Sequence, residues 1–529
     1  MSVGVSREAP ARRFAPSDGR VDRVWAAAIA LAVLVLHAGT SGALDLFRDE
    51  LYFVVCGARP QWAYVDQPPL VPLVAYASYV IAHGNPLLFR IVPALAHAAI
   101  ALAVMALVAA CGGGRFARVL AGLAIVVAPV YAVFGWILTT NVVEPLCWTL
   151  VLLAAVRARS APRAWLLSGL ALGIAFETKY GLLPYLLGLA IGLSITSYRG
   201  AFVRRTFWLG ALIAVVLAAP GVAWQAAHGS PMLELLHNDT IGGKNTVLSP
   251  LGYLASEALL VGPLGAVLLL AGFVMLWPGR TSTSASAGDR AARATSTLIV
   301  VGWLVTFVVM LATHAKDYYF AAAHPPLIAL GAVLCERALR ATAVRVALVA
   351  LGIATVAILP LAIPLGGATT SLAVARAVAG AVAARETGAQ SPLPQPMADT
   401  LGWHDLAHAV DRAWRTLDAR ERAHAAVWAS NYGEASALAL YTQQAPDMHV
   451  ISTHNEWWRR GYAPWDGSAV LLIRDLGDVA RGGCASLRDL GSIAMPPLAM
   501  PYERARHIYL CRGVHVPPAE IWVSEKHYY

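Results

Sequence analysis

Residues 45–72 read DLFRDELYFVVCGARPQWAYVDQPPLVP. The stretch follows directly on the first long apolar run. It carries Asp45, Arg48, Asp49, Glu50 and Asp66 among the aromatics Tyr52, Trp62 and Tyr64, and it closes on Pro68-Pro69. Charges beside a bilayer are easily solvated, so each alone reads equally well as a wet helix end. Acid groups, aromatics and a rigid proline pair gathered at one membrane boundary read as a site. There a carboxylate can take a proton, and prolines fix the backbone next to it.

The rest of the chain supplies the membrane. Of 529 residues, 58% are hydrophobic and 13% charged, more apolar surface than a soluble chain of this length needs to bury. About eleven apolar runs stand out, at 24–44, 91–111, 119–138, 142–157, 164–178, 181–196, 207–227, 251–276, 298–314, 318–337 and 343–365. A further run at 70–82 falls below the roughly 17–25 residues a span needs. Charge decides its role. If 70–82 stays on one side, the loops 112–118, 157–163, 197–205, 278–297 and 336–345, all with arginine, share the cytoplasmic face. The run is therefore expected to be a surface or re-entrant helix. The net charge of +9 belongs to these loops and implies no nucleic-acid partner.

The predicted organisation is a cytoplasmic tail over 1–23, a transmembrane domain over 24–365 with its first outer loop at 45–90, a linker over 366–398, and a soluble extracytoplasmic α/β domain over 399–529. The first apolar run reads as an anchor rather than a cleaved signal, and 281–288 (TSTSASAG) as a flexible linker. In the last domain, 425–430, 468–473 and 507–511 read as strands, and 431–441 as a helix capped by Asn431. Cys484 and Cys511 both lie there, and an extracytoplasmic location permits a disulfide between them.

The motifs resemble a known family. Asp49-Glu50-Leu51-Tyr52, followed by Ala63-Tyr64-Val65-Asp66-Gln67-Pro68-Pro69, is similar to the first extracytoplasmic loop of the protein O-mannosyltransferase superfamily, which includes the lipid A aminoarabinose transferases. Arg90-Ile91-Val92-Pro93, Asn141-Val142-Val143-Glu144-Pro145-Leu146, Thr178-Lys179-Tyr180 and Lys316-Asp317-Tyr318-Tyr319 with Pro325-Pro326 resemble later family elements. Ser430-Asn431-Tyr432-Gly433-Glu434-Ala435 and His454-Asn455-Glu456 resemble bacterial members, so the likeness covers 24–529. Two positions depart: Glu144 stands where Asp is more usual, and Gln67 where some relatives carry Lys.

The resemblance implies a GT-C fold and a membrane glycosyltransferase that uses a polyprenyl-phosphate-linked sugar. It implies that Asp49 is the catalytic base, with Glu50 beside it, and that Asp66 positions the acceptor or a divalent cation. The departing phosphate carries negative charge, which placed cations stabilise. Arg90, Lys179, Lys316 and Lys244 lie on the correct face for that, although lysines at span ends also snorkel. Arg48, Tyr64, Gln67, Asn141, Glu144, Tyr180, His314, Asp317 and Tyr318 are expected to line the same cavity. The histidines show no metal-ligand spacing. The acceptor is open among protein, lipid and glycan, as is the donor sugar, and a bacterial inner membrane is the expected home. The alternative is a transporter or flippase for the lipid-linked sugar. Such proteins often show internal repeats, and none is found.

Overall fold

The computed structural model describes residues 19–242, 246, 248–274, 287–338, 342–378, 391–443, 447–476 and 483–529. Lys244, most of the 281–288 linker and residues 1–18 of the expected tail lie outside them. Residues 19–23 already belong to the first helix, Gly19–Ala38.

Every apolar run expected to span is helical. Among the described residues, seven helices are long and apolar enough to cross a bilayer, and the bent pair Arg115–Val127 and Pro129–Trp136 makes an eighth. The 63° bend of that pair falls at Pro129, whose ring and missing N–H interrupt the ladder. The runs at 142–157, 164–178 and 181–196 contain the shorter helices Glu144–Arg157, Ala164–Phe176 and Leu183–Ile195. Small residues set the packing, as is usual between helices in lipid. Gly169 of Ala164–Phe176 lies against the Gly210 backbone of Arg205–Ala227, and a Cβ on Gly169 would overlap it. The helix Pro250–Val274 breaks at Gly262, at φ 72° before Pro263. The Leu264 N–H freed there donates to Thr355 Oγ1 at 3.0 Å.

The loop region 45–90 is itself folded. Arg48–Gly57 and Leu70–Ala82 form a helical hairpin, drawn close because Gly57 has no Cβ to meet the Pro72 carbonyl. Arg48–Gly57 is buried from Glu50 onward. Leu70–Ala82 has 13 residues and leaves Tyr76, Val80 and Ile81 exposed, an apolar edge suited to lying along a membrane surface.

The C-terminal region forms a five-stranded sheet in the order β2-β1-β3-β5-β4. The strands are β1 Ala426–Trp428, β2 Val450–Ile451, β3 Ala469–Asp475, β4 Cys484–Ser492 and β5 Arg506–Val514. β1 runs parallel to β2 and β3, whereas β5 is antiparallel to β3 and β4. Helix Tyr432–Tyr441 follows β1, and the Asn431 side chain accepts the Glu434 N–H at its start. A disulfide joins Cys484 to Cys511 across β4 and β5. Within the described part of the expected linker 366–398, Gly367–Val378 is helical, and Leu393 and Ala398 pack with Met500.

Candidate active site

The loop hairpin and the sheet domain meet on the acidic residues. Asp49 lies in the first turn of Arg48–Gly57, with its side chain 30% exposed. Its Oδ1 accepts a hydrogen bond of 2.8 Å from the hydroxyl of Tyr432, on the first helix after β1. Asp66 is held from two sides. Tyr52 donates to its Oδ1 at 3.0 Å and Asn455 Nδ2 to its Oδ2 at 3.3 Å. The rings of Tyr52 and Tyr432 pack 4.7 Å apart, so the two carboxylates are joined through one aromatic pair. Burial pushes Asp66 up to about 7, against the opposing pull of the Tyr52 bond.

Asn455 sits at φ 51° and ψ −131°, a conformation that residues with side chains rarely adopt. Hydrogen bonds fix it there. Its N–H donates to the His527 carbonyl, and its Oδ1 accepts the Tyr529 N–H, each at 2.9 Å. That acceptor role orients the amide so that Nδ2 faces Asp66. The next residue, Glu456, accepts from Gln61 Nε2 at 2.8 Å and from the Val65 N–H at 3.1 Å, which ties the Asp66 loop to the sheet domain. Arg48 adds a second tie: it donates to Tyr502 at 2.8 Å, lies 3.9 Å from Asp399 and 3.6 Å from Asp49, and covers the Tyr432 ring.

A separate cation cluster forms where three helical segments meet at their ends. Lys179 Nζ donates to Asn141 Oδ1 at 2.6 Å, stands 3.8 Å from the buried Glu144 carboxylate, and sits 3.2 Å from the Tyr319 ring centre. The Tyr180 hydroxyl is buried beside it in sequence with no hydrogen-bond partner among the described residues. Asp317 is buried and accepts from the Tyr318 N–H and the Ser256 hydroxyl. Lys316 is half-buried at the same helix entry, and Tyr318 packs on Tyr319. His314 is exposed, at φ 52°.

This membrane architecture has solved counterparts. ArnT from Cupriavidus metallidurans superposes with a TM-score of 0.57 in its apo state and 0.58 bound to undecaprenyl phosphate, at 14% and 16% identity, covering 93–94% of this chain and 98% of that one. The fold is GT-C. The mycobacterial arabinofuranosyltransferase AftD shares it, with a TM-score of 0.51 at 17% identity over 95% of this chain and 40% of its own. In sequence, residues 66–224 match the dolichyl-phosphate-mannose-protein mannosyltransferase family. The lipid A galacturonosyltransferase RgtD of Rhizobium johnstonii is 26% identical over 287 residues, 52% of this chain and 57% of that protein. The chain thus spans little more than half the length of that relative. The expected resemblance holds in sequence and in fold.

Within the GT-C domain, two expected site residues have other work. Arg90 and Glu50 are fully buried and form an ion pair at 2.8 Å. All five Arg90 N–H groups are occupied, by both Glu50 oxygens and by the carbonyls of Ser41, Leu44 and Asp45. Glu50 also accepts the N–H groups of Phe47 and Leu138. Arg90 therefore has no donor left for a donor phosphate, and Glu50 no access to an acceptor. Tyr64 is likewise buried, bonding the Cys56 carbonyl while its own carbonyl accepts from Gln225, so it staples the loop rather than lining a cavity. Gln67 is buried too, its Nε2 without a partner among the described residues. No group of three or more His, Cys, Asp or Glu with metal-binding geometry occurs among the described residues.

Tyr432, Asn455 and Tyr319 carry no individual site role in the sequence reading, and Tyr52 enters it only as one of the loop aromatics. Each nevertheless stands inside a motif quoted for the resemblance, which is the signal that points to them.

Proposed function

We propose that this chain is a membrane glycosyltransferase that moves a sugar from a polyprenyl-phosphate donor to a protein, lipid or glycan acceptor on the extracytoplasmic face of a bacterial inner membrane. The observation that carries the reading is the partly exposed Asp49, oriented by Tyr432 and joined through the Tyr52–Tyr432 pair to Asp66. A carboxylate held by one bond and open on its other oxygen suits a general base. Asp49 takes the acceptor proton as the acceptor oxygen or nitrogen bonds to the anomeric carbon. The bond from that carbon to the phosphate oxygen breaks on the opposite face, its electron pair leaves with the phosphate, and the sugar is inverted. Asp66 aligns the acceptor. Lys179, with Lys316, supplies positive charge to the leaving phosphate. The relatives named above support this class, and they give the transporter alternative no support. The Cys484–Cys511 disulfide and the arginine-bearing loops support an extracytoplasmic sheet domain.

A photoreactive polyprenyl-phosphate analogue tests the donor. Crosslinks mapping to peptides with Lys179 and Lys316 are expected. Crosslinks confined to the arginine-bearing loops would overturn both the topology and the donor.

A further inference from the structure

A cavity of about 270 Å³ opens where the end of Arg48–Gly57 meets the sheet domain. Its wall includes Arg59, Arg460, His449, Trp457, Thr442 and Gly461, and among the described residues no lining residue is an Asp or Glu. Arg59 is exposed and makes no side-chain hydrogen bond or ion pair among the described residues. Arg460 is anchored by Nη2 to the Val55 carbonyl at 2.7 Å, and its guanidinium lies over the Trp457 ring at 4.5 Å. His449 Nε2 donates to the Tyr462 carbonyl at 2.9 Å, which leaves Nδ1 for another partner. The neighbouring Glu456 carboxylate is already engaged by Gln61, Val65 and Arg459. Burial, and with it the Arg59 charge, hold His449 and Arg460 below their ordinary values, as expected where positive groups converge with too little negative charge between them.

We propose that this cavity is a binding site for an anionic saccharide group, a phosphate or carboxylate borne on a single sugar-sized unit. Forked guanidinium donors match either anion, and the volume lies just below the roughly 300–1,000 Å³ typical of small-molecule sites. The site is adjacent to the acidic centre. One turn, Glu456–Arg459, separates Asn455, which bonds Asp66, from Arg460. Resting on the function proposed above, the cavity holds the charged portion of the acceptor while Asp66 and Asp49 face its nucleophile.

The test measures equilibrium binding of mannose 6-phosphate, galacturonate, inorganic phosphate and neutral mannose to the full chain in nanodiscs of neutral lipid. The anionic sugars are expected to bind and mannose not to. Arg59→Gln should weaken binding about ten-fold, the loss of one charge-assisted contact, and Arg59→Glu should abolish it. The Arg59 side chain makes no hydrogen bond or ion pair among the described residues, so both variants should fold. Equal binding of mannose and its phosphate, or binding unchanged in Arg59→Glu, would overturn the proposal. Nanodiscs of anionic lipid separate the sources. Retained sugar binding there supports a soluble or acceptor-borne anion, and Arg59-dependent displacement supports a lipid headgroup supplying the same chemistry. Binding needs no turnover. Arg59-dependent binding without sugar transfer would sink the proposed function and leave the site standing, whereas transfer without such binding would do the reverse.

Discussion

Tyr432 in the sheet domain donates its phenol proton to Asp49 Oδ1 at 2.8 Å, across 383 residues of sequence. Burial raises the Tyr432 pKa well above its ordinary value, so the hydroxyl stays a donor at any working pH. The bond orients the proposed base, whose second oxygen has no hydrogen-bond partner among the described residues. Tyr432→Phe should keep the fold and lower transfer by about 10- to 100-fold, the range for one hydrogen bond to a charged group. Transfer at the wild-type rate would show that the sheet domain does not set the base.

The Arg90–Glu50 pair predicts a stability phenotype. Removing one partner leaves the other charged and buried, at a cost of about 3–5 kcal/mol. Arg90→Ala and Glu50→Ala should therefore lower the unfolding midpoint sharply in detergent. If Arg90→Ala is as stable as the parent and only binds donor more weakly, Arg90 faces the phosphate after all.

Asp66 predicts a pH profile. Its carboxyl, pushed up to about 7, is mostly protonated below that pH and mostly ionised above it. A step needing the carboxylate should gain rate as pH rises through about 7. Tyr52→Phe removes a hydrogen bond that favours the ionised form, so the midpoint should move upward by about one unit. A downward move, or a profile flat from pH 6 to 8, would contradict the assignment.

Much of this arrangement is legible in the chain. The apolar runs became helices because lipid leaves a backbone no other way to pair its polar groups. Ala426–Trp428, Ala469–Asp475 and Arg506–Val514 were readable as strands from their β-branched and aromatic content. Loop charge carries a simple rule for the side of the membrane, but none for depth. Arg90 and Lys179 look alike as cations at helix ends, and only packing shows that carbonyls surround one while the other meets Asn141 and an aromatic face. The contacts from Tyr432 and Asn455 to the acidic loop were hidden for a different reason. They depend on how a separate domain docks, which no local pattern encodes. Lys244 lies outside the described residues.

Lys179 should separate charge from packing. Lys179→Met keeps most of the side-chain volume against Tyr319 and removes the cation. Transfer should fall about 10- to 100-fold with little change in unfolding midpoint, and labelling by a polyprenyl-phosphate probe should weaken. Lys179→Arg should restore part of both. An unchanged rate in Lys179→Met would remove this cluster from the phosphate's path.

Asp49, the proposed base of sugar transfer, is open to a direct test. The most direct measurement is transfer by Asp49→Asn in proteoliposomes, against a panel of radiolabelled polyprenyl-phosphate sugars and envelope acceptors, with the unfolding midpoint measured on the same preparation. A loss of about 10²–10⁴-fold at unchanged stability is the expected result. Full transfer by a folded Asp49→Asn protein would mean that Asp49 is not the base.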